Sequence, residues 1–215
     1  MLNKEMAQMM RIGGFQKQSF IDWDGRMVAV VFTQGCNFRC GYCHNPSLVI
    51  PEFYNTAACI SEDEVLAALL SRCGWLDGVV ISGGEPTLQP CLKQFIQKIK
   101  AMGYLVKLDT NGTNPNLLEE LIYERLIDYV AMDIKTIPTY ERYSQVTPIS
   151  RCQFSKVLQT MRLLQQNVIS YQFRTTIVPT LHSSEDIIEL KRQMTKCPCV
   201  TLQMYREGDT VACYL

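Results

Sequence analysis

The chain has 215 residues, 47% of them hydrophobic and 20% charged, a balance that lets a single globular domain enclose a substantial core. Lys and Arg together number 21, as do Asp and Glu, so no net field favours nucleic acid or an anionic membrane surface. The apolar run from Met27 to Phe32, preceded by scattered Lys4, Glu5 and Arg11, is too short to cross a bilayer or form a signal core, so the expected location is the cytoplasm.

In chain order, Gly13 to Gly25 is expected to form a leading hairpin or extension, with Asp24-Gly25 as a turn. From Val28 onward, short apolar runs bounded by turn residues alternate with amphipathic stretches, the pattern of an α/β domain with a parallel sheet. Strands are predicted at Val28 to Thr33, Gly78 to Ser82, Tyr104 to Asp109, Asp128 to Ile134, Ser170 to Val178 and Val200 to Met204. Between the first two, Ser61 and Glu64 resemble a capping box ahead of Val65, Leu66, Leu69 and Leu70 at helical spacing. Later apolar stripes run through Leu92, Phe95, Ile96, Ile99 and Met102 up to Gly103, and through Leu117, Leu118, Leu121 and Ile122 after Pro115. Two more run through Phe154, Val157, Leu158 and Met161, and through Ile187, Ile188 and Leu190 behind Ser183 and Ser184.

Six βα pairs are too few to close an eight-stranded barrel. The predicted architecture is therefore an open partial (β/α)6 barrel of the TIM type, with its active face at the C-terminal strand ends. The predicted organisation is one domain over 1–215: a leading extension over 1–27, the partial barrel over 28–205 and a C-terminal tail over 206–215.

Ten cysteines without a recognisable secretion signal point to ligands or core residues rather than a disulfide scaffold. Cys59, Cys73, Cys91, Cys152 and Cys213 stand alone and are read as small buried hydrophobes. Cys197-Pro198-Cys199 offers two thiols with no third ligand nearby, which argues against a metal there. Cys36-Asn37-Phe38-Arg39-Cys40-Gly41-Tyr42-Cys43 differs: three thiols crowd the loop after the first strand. Three thiolates hold three corners of an iron–sulfur cubane and leave the fourth iron open to a ligand. On spacing alone, a zinc knot of the same cysteines with His44 remains open.

Further polar clusters also follow strands, where an α/β barrel assembles its site. In Ser82-Gly83-Gly84-Glu85-Pro86 the paired glycines let backbone approach a ligand closely. Leu108-Asp109-Thr110-Asn111-Gly112 ends in Asn-Gly, which is also a common turn. In Met132-Asp133-Ile134-Lys135 the ammonium suits a carboxylate partner, and a solvated loop lysine is the alternative. Arg174 interrupts the apolar run Phe173 to Pro179, and a buried arginine needs an anion, either a ligand or one of the site's own carboxylates. His182 is a lone loop histidine, which is more often solvated than catalytic, and is left without a role.

The cysteine spacing, with Tyr42 before the third thiol, resembles the CxxxCxφxC signature of the radical S-adenosylmethionine (SAM) superfamily, and Gly83-Gly84-Glu85-Pro86 resembles its GGEP motif. The segments around Asp109, Asp133 and Lys135 resemble those of activating enzymes of glycyl radical enzymes. The resemblance implies that Cys36, Cys40 and Cys43 hold a [4Fe-4S] cluster whose pocket His44 and Asn45 shape. It further implies SAM contacts from Tyr42, Gly83, Gly84, Glu85, Asp109, Asn111, Asp133, Lys135 and Arg174, with a monovalent cation near Asp109. After the sixth strand, Met204-Tyr205-Arg206-Glu207 stands where the pyruvate formate-lyase type carries a His that touches SAM, so that last contact has no counterpart here.

The compact length, Phe20-Ile21-Asp22 ahead of the first strand and the run from Val80 to Gln89, with no inserted CxxC pairs, together most resemble activating proteins of anaerobic ribonucleoside-triphosphate reductase. This implies hydrogen abstraction from a glycine of the reductase, with flavodoxin or ferredoxin as electron donor and neither nucleic acid nor membrane as partner. Three other readings stay open: an activase of another glycyl radical enzyme such as pyruvate formate-lyase, a small-molecule radical SAM enzyme of the deazaguanine-forming kind, and a zinc-stabilised binding module.

Overall fold

Short β-rich runs and amphipathic helices alternate along the chain, and each βα pair adds one strand to a growing parallel sheet. The computed structural model describes residues 9–54, 59–194 and 200–214. Lys4, Glu5 and the Cys197-Pro198-Cys199 pair lie outside them. The strands are β1 (Ile12–Ser19), β2 (Val28–Thr33), β3 (Gly78–Gly83), β4 (Leu105–Thr110), β5 (Tyr129–Asp133), β6 (Ser170–Ile177) and β7 (Val200–Met204). They form one sheet in the order β1-β2-β3-β4-β5-β6-β7. β1 runs antiparallel to β2, and every later neighbour pair is parallel. β1 and β7 are the edges, so the sheet is open, as six βα units require.

The helices are α1 (Pro46–Val49), α2 (Glu62–Leu70), α3 (Leu92–Ala101), α4 (Pro115–Tyr123), α5 (Tyr140–Val146), α6 (Arg151–Leu164) and α7 (Ser184–Met194). Ser61 caps α2 by accepting a hydrogen bond from the Glu64 N–H at 3.1 Å, and Ser150 with Gln153 forms a reciprocal capping box on α6. Each such cap stabilises its helix by about 1 kcal/mol. α5 is absent from the sequence reading because only Tyr143 and Val146 of its seven residues are buried, too few to show a period.

Alternation along each strand sorts side chains into two layers. Outward residues such as Val79, Ile81, Val106, Leu108, Val130 and Phe173 pack under the helices, against Phe95, Ile96, Leu118 and Val157. Leu108 is fully buried there, so Leu108→Ala would cost about 2–5 kcal/mol in lost contacts and cavity. Inward residues Val28, Val30 and Val80 pack with Trp23, whose ring lies 5.7 Å from that of Tyr129. This apolar plug fills the lower barrel and leaves the C-terminal strand ends for polar groups. Among the described residues no helix is long and apolar enough to cross a membrane.

The isolated cysteines depart from expectation. Cys59, Cys73, Cys152 and Cys213 are exposed and Cys91 is half-buried. The reason is their place on each element: Cys152 lies in the first turn of α6, off the buried stripe of Phe154, Val157, Met161 and Leu164, and Cys73 follows the end of α2.

Candidate active site

Two backbone loops form the floor of the site because they are bonded to each other. The Gly84 N–H donates to the Thr33 carbonyl at 2.9 Å and the Glu85 N–H to the Gly35 carbonyl at 2.7 Å, joining the loop after β3 to the start of the cysteine loop after β2. A Cβ at Gly84 would stand 2.2 Å from the Gly35 oxygen, and Gly83, at φ +116°, would place one 2.3 Å from the Thr33 nitrogen. Glycine is required here by loop-to-loop contact. Gln89, buried, adds a staple by donating to the Gln34 carbonyl at 2.6 Å and accepting from the Arg11 N–H at 3.1 Å.

Behind this floor the Glu85 carboxylate is fully buried and does not line the cavity. Its Oε1 accepts from the Thr87 N–H at 3.1 Å, the Thr87 hydroxyl at 2.5 Å and the Thr110 hydroxyl at 2.8 Å, and its Oε2 accepts from the Asn111 N–H at 2.6 Å. Burial raises its pKa against the pull of those hydrogen bonds. The side chain thus holds the loop after β4, while Gly83 and Gly84 face the cavity. Asn111 faces it too, and its amide donates to Asn37 Oδ1 at 2.8 Å, tying that loop to the cysteine loop.

The cavity, of about 360 Å³, gathers Cys36, Cys40, Cys43 and Tyr42 from the cysteine loop with Asp109, Asp133, Lys135 and Arg174 from the ends of β4, β5 and β6. Inward register explains the second group: Asp133 is the β-ladder partner of Arg174, and both face in. Arg174 bridges two carboxylates, donating from Nε to Asp133 Oδ1 at 2.9 Å and from Nη1 to Asp109 Oδ2 at 3.1 Å. Burial would lower its pKa, but Asp109 and Asp133 outweigh this and raise it. Asp133 is pulled below its ordinary value: burial pushes it up, and Arg174 and then Lys135 pull it down further.

Lys135 Nζ lies 3.3 Å from Asp133 Oδ2. Burial alone would lower its pKa; Asp133 chiefly, with Tyr42 and the thiols adding, holds it well above the usual lysine range. Its backbone is fixed from both sides: the Lys135 N–H donates to Tyr143 Oη at 3.1 Å, and the Lys135 carbonyl accepts from His182 Nε2 at 2.9 Å. His182 is buried, and its Nδ1 accepts the Val178 N–H at 3.0 Å. A carbonyl only accepts, so Nε2 is the donor in that contact. The lone histidine is thus a buried support beneath Lys135.

Burial pushes the Cys36 thiol up to about 12 and raises Cys43 as well, so ligation there has to displace protons. The C-terminal segment straps this loop: the Val211 N–H donates to the Cys43 carbonyl and the Ala212 N–H to the Gly41 carbonyl, each at 2.9 Å. His44 turns toward the same segment, donating to the Arg206 carbonyl at 2.7 Å with its ring stacked 5.1 Å from Tyr205. That contact takes His44 Nε2 away from the thiols as the fourth ligand of a zinc knot. Among the described residues no three His, Cys, Asp or Glu side chains converge on a single ion.

Residues 30–193 match the family model of the radical SAM superfamily. The chain belongs to that superfamily. A Methanocaldococcus jannaschii protein named provisionally as a glycyl-radical enzyme activating enzyme, MJ1227, is 32% identical over 207 residues, covering 92% of this chain and 81% of that protein. Pyruvate formate-lyase-activating enzyme of Clostridium pasteurianum is 32% identical over 186 residues, covering 83% of this chain and 73% of that enzyme. This radical SAM enzyme therefore stands within the glycyl-radical enzyme activating family. Among solved structures, Streptococcus suis SuiB bound to S-adenosylmethionine superposes with a TM-score of 0.65 at 16% identity, over 84% of this chain and 41% of SuiB. TYW1 with a lysine-pyruvate adduct superposes at 0.61 and 16% identity, over 84% of this chain and 65% of that one. These show the fold, and the chain spans about two-fifths to two-thirds of their length.

The family implies a [4Fe-4S] cluster and SAM, and the residues fit both. Three soft donors share one wall with no carboxylate or imidazole of the described residues completing a single-ion site. Tyr42 Oη is buried in that wall without a hydrogen-bond partner among the described residues, a polar atom that a ligand would satisfy. A monovalent cation fits less well. Asp109 Oδ2 already accepts from Ser82 Oγ at 3.0 Å and from Arg174, and Asp109 Oδ1 faces Lys107 Nζ at 3.6 Å. Lys107 is a further residue of this cluster, one that no motif marks. Its signal is a lysine inside the apolar strand Leu105–Thr110, two positions before Asp109 and so on the same face.

Proposed function

We propose that this enzyme installs a glycyl radical on anaerobic ribonucleoside-triphosphate reductase. The observation that carries the chemistry is the meeting of three thiols, a glycine loop and a paired cluster of half-buried charges around one cavity at the C-terminal strand ends. Cys36, Cys40 and Cys43 would hold the cluster, which when reduced supplies the electron that splits SAM into methionine and a 5'-deoxyadenosyl radical. Lys135 would receive the SAM carboxylate and Asp133 its ammonium. Gly83 and Gly84 would offer backbone, Tyr42 its unpartnered hydroxyl and Asn111 a contact from the loop after β4. Asp109, Asp133 and Arg174 hold one another rigid, which fixes Asp133 before SAM arrives. Glu85 would act through Asn111 rather than by touching SAM.

A macromolecular substrate is supported by the open sheet, because a closed barrel would be filled by side chains where a glycine loop must enter. Glycine gives close approach to its Cα from every side. The proposal includes a cytoplasmic setting with flavodoxin or ferredoxin as electron donor. The resemblance to pyruvate formate-lyase-activating enzyme favours a second reading, the same chemistry on another glycyl radical enzyme. The test is 5'-deoxyadenosine formation from SAM by reduced, cluster-loaded protein, with and without the reductase of the same source. A glycyl radical signal on the reductase is expected. Cleavage without radical transfer would strike the partner, and no cleavage by loaded protein would strike the chemistry.

A further inference from the structure

Beneath the site, Lys107 is 3% exposed, an unusual depth for an ammonium. Its Nζ donates to the Asp22 carbonyl, lies 3.6 Å from Asp109 Oδ1 and stands 6.0 Å from the centre of the Tyr129 ring. Asp109 is buried as well, and its Oδ1 accepts no hydrogen bond among the described residues, so the ammonium is the positive group this oxygen faces. The other carboxylate oxygen is taken by Ser82 and Arg174. An alkali ion binds by exchanging its water for several oxygen ligands, and Asp109 has only Oδ1 left to offer, beside which the Lys107 ammonium already stands, with the carboxylate's charge answered by Lys107 and Arg174. At this level of the barrel three cations, Lys107, Lys135 and Arg174, already face two carboxylates, Asp109 and Asp133.

We infer that Lys107 is the built-in cation of this site, standing in for the monovalent ion that activating enzymes of this kind are expected to hold, so that SAM binds without dependence on alkali metal. The inference rests on the proposed SAM site. Lys107 is a positioning residue: it neutralises Asp109, which with Asp133 fixes Arg174. The sequence permits this substitution only because strand register turns Lys107 and Asp109 to the same face, with the Asp22 carbonyl within reach of the lysine's end.

The test is SAM affinity of cluster-loaded protein, measured by titration calorimetry in potassium, sodium or tetramethylammonium chloride at equal ionic strength. The wild-type affinity is expected to change less than about twofold among the three salts. Lys107→Met should bind SAM about tenfold more weakly in tetramethylammonium and regain affinity in potassium or sodium, as expected when a buried charge loses its partner. Lys107→Arg, which keeps the charge, should behave as wild type, and it decides the matter with the wild-type series if Lys107→Met fails to fold. A tenfold loss of wild-type affinity in tetramethylammonium would overturn the inference, as would salt-indifferent binding by Lys107→Met. Iron content and 5'-deoxyadenosine formation on the same samples separate the two levels: loaded protein that cleaves SAM only with alkali metal refutes Lys107 alone, whereas no SAM binding in any salt refutes the site beneath it.

Discussion

Glu85→Gln keeps the size and shape of the side chain and changes what one of its two terminal atoms offers to the loop after β4. With the amide oxygen placed at Oε1, the three donors from Thr87 and Thr110 are still met, but the amide NH2 then confronts the Asn111 N–H, which Oε2 accepts at 2.6 Å. Reversing the amide instead opposes the Thr87 N–H at 3.1 Å. Either way a buried backbone donor loses its acceptor, at a cost of about 1–3 kcal/mol, partly offset by relief of the carboxylate's burial. For a chain of this size that predicts a fall in melting temperature of roughly 2–12 °C. Displacement of Asn111 also loosens its bond to Asn37 on the cysteine loop, so SAM affinity should drop about tenfold while cluster content is unchanged. Thermal melting by circular dichroism and SAM titration on one preparation read both effects. Wild-type melting together with wild-type affinity would refute the reasoning. A loss of SAM binding with no change in melting would instead make Glu85 a direct SAM contact, as the motif resemblance implies.

Lys135→Ala should leave iron and sulfide content intact and weaken SAM binding by about tenfold or more, since the charge partner is lost while the thiols are untouched; unchanged affinity would remove Lys135 from the site. Tyr42→Phe deletes a buried hydroxyl that has no partner among the described residues, so the protein alone should be as stable as wild type or more so, while SAM binding weakens if SAM supplies the missing bond. Asp133, held below its ordinary pKa by Arg174 and Lys135 against the effect of burial, contributes stability that is full above its unfolded value of about 3.9 and is lost as pH falls through its lower folded value. Asp133→Asn should therefore be less stable than wild type at pH 7, with the gap closing below about pH 4; a gap constant with pH, followed by urea unfolding, would refute that coupling.

The strands from Val28 to Met204, their intervening helices and the loops at Cys36, Gly83, Asp109 and Asp133 were legible in the sequence because each depends on local signals: apolar period, caps, turn residues and thiol spacing. α5 was not, since its two buried side chains make no stripe. The exposure of the isolated cysteines is not legible there, because a cysteine's burial depends on the face of the element it occupies, and composition says nothing about faces.

Partners far apart in the chain are a separate matter. That Arg174 answers both Asp109 and Asp133 follows from the inward register of β4, β5 and β6. That Glu85 turns from the cavity to Asn111 follows from the contact of Gly84 with Gly35. His182 supports Lys135 across 47 residues, and Lys107 reaches Asp22 across 85. The sequence determined which residue types stand at the strand ends, and hence the chemistry available there. Only the tertiary structure decided which charges neutralise one another and which are left to face a ligand, because pairing between distant residues is set by sheet register and loop contact, which no local pattern encodes.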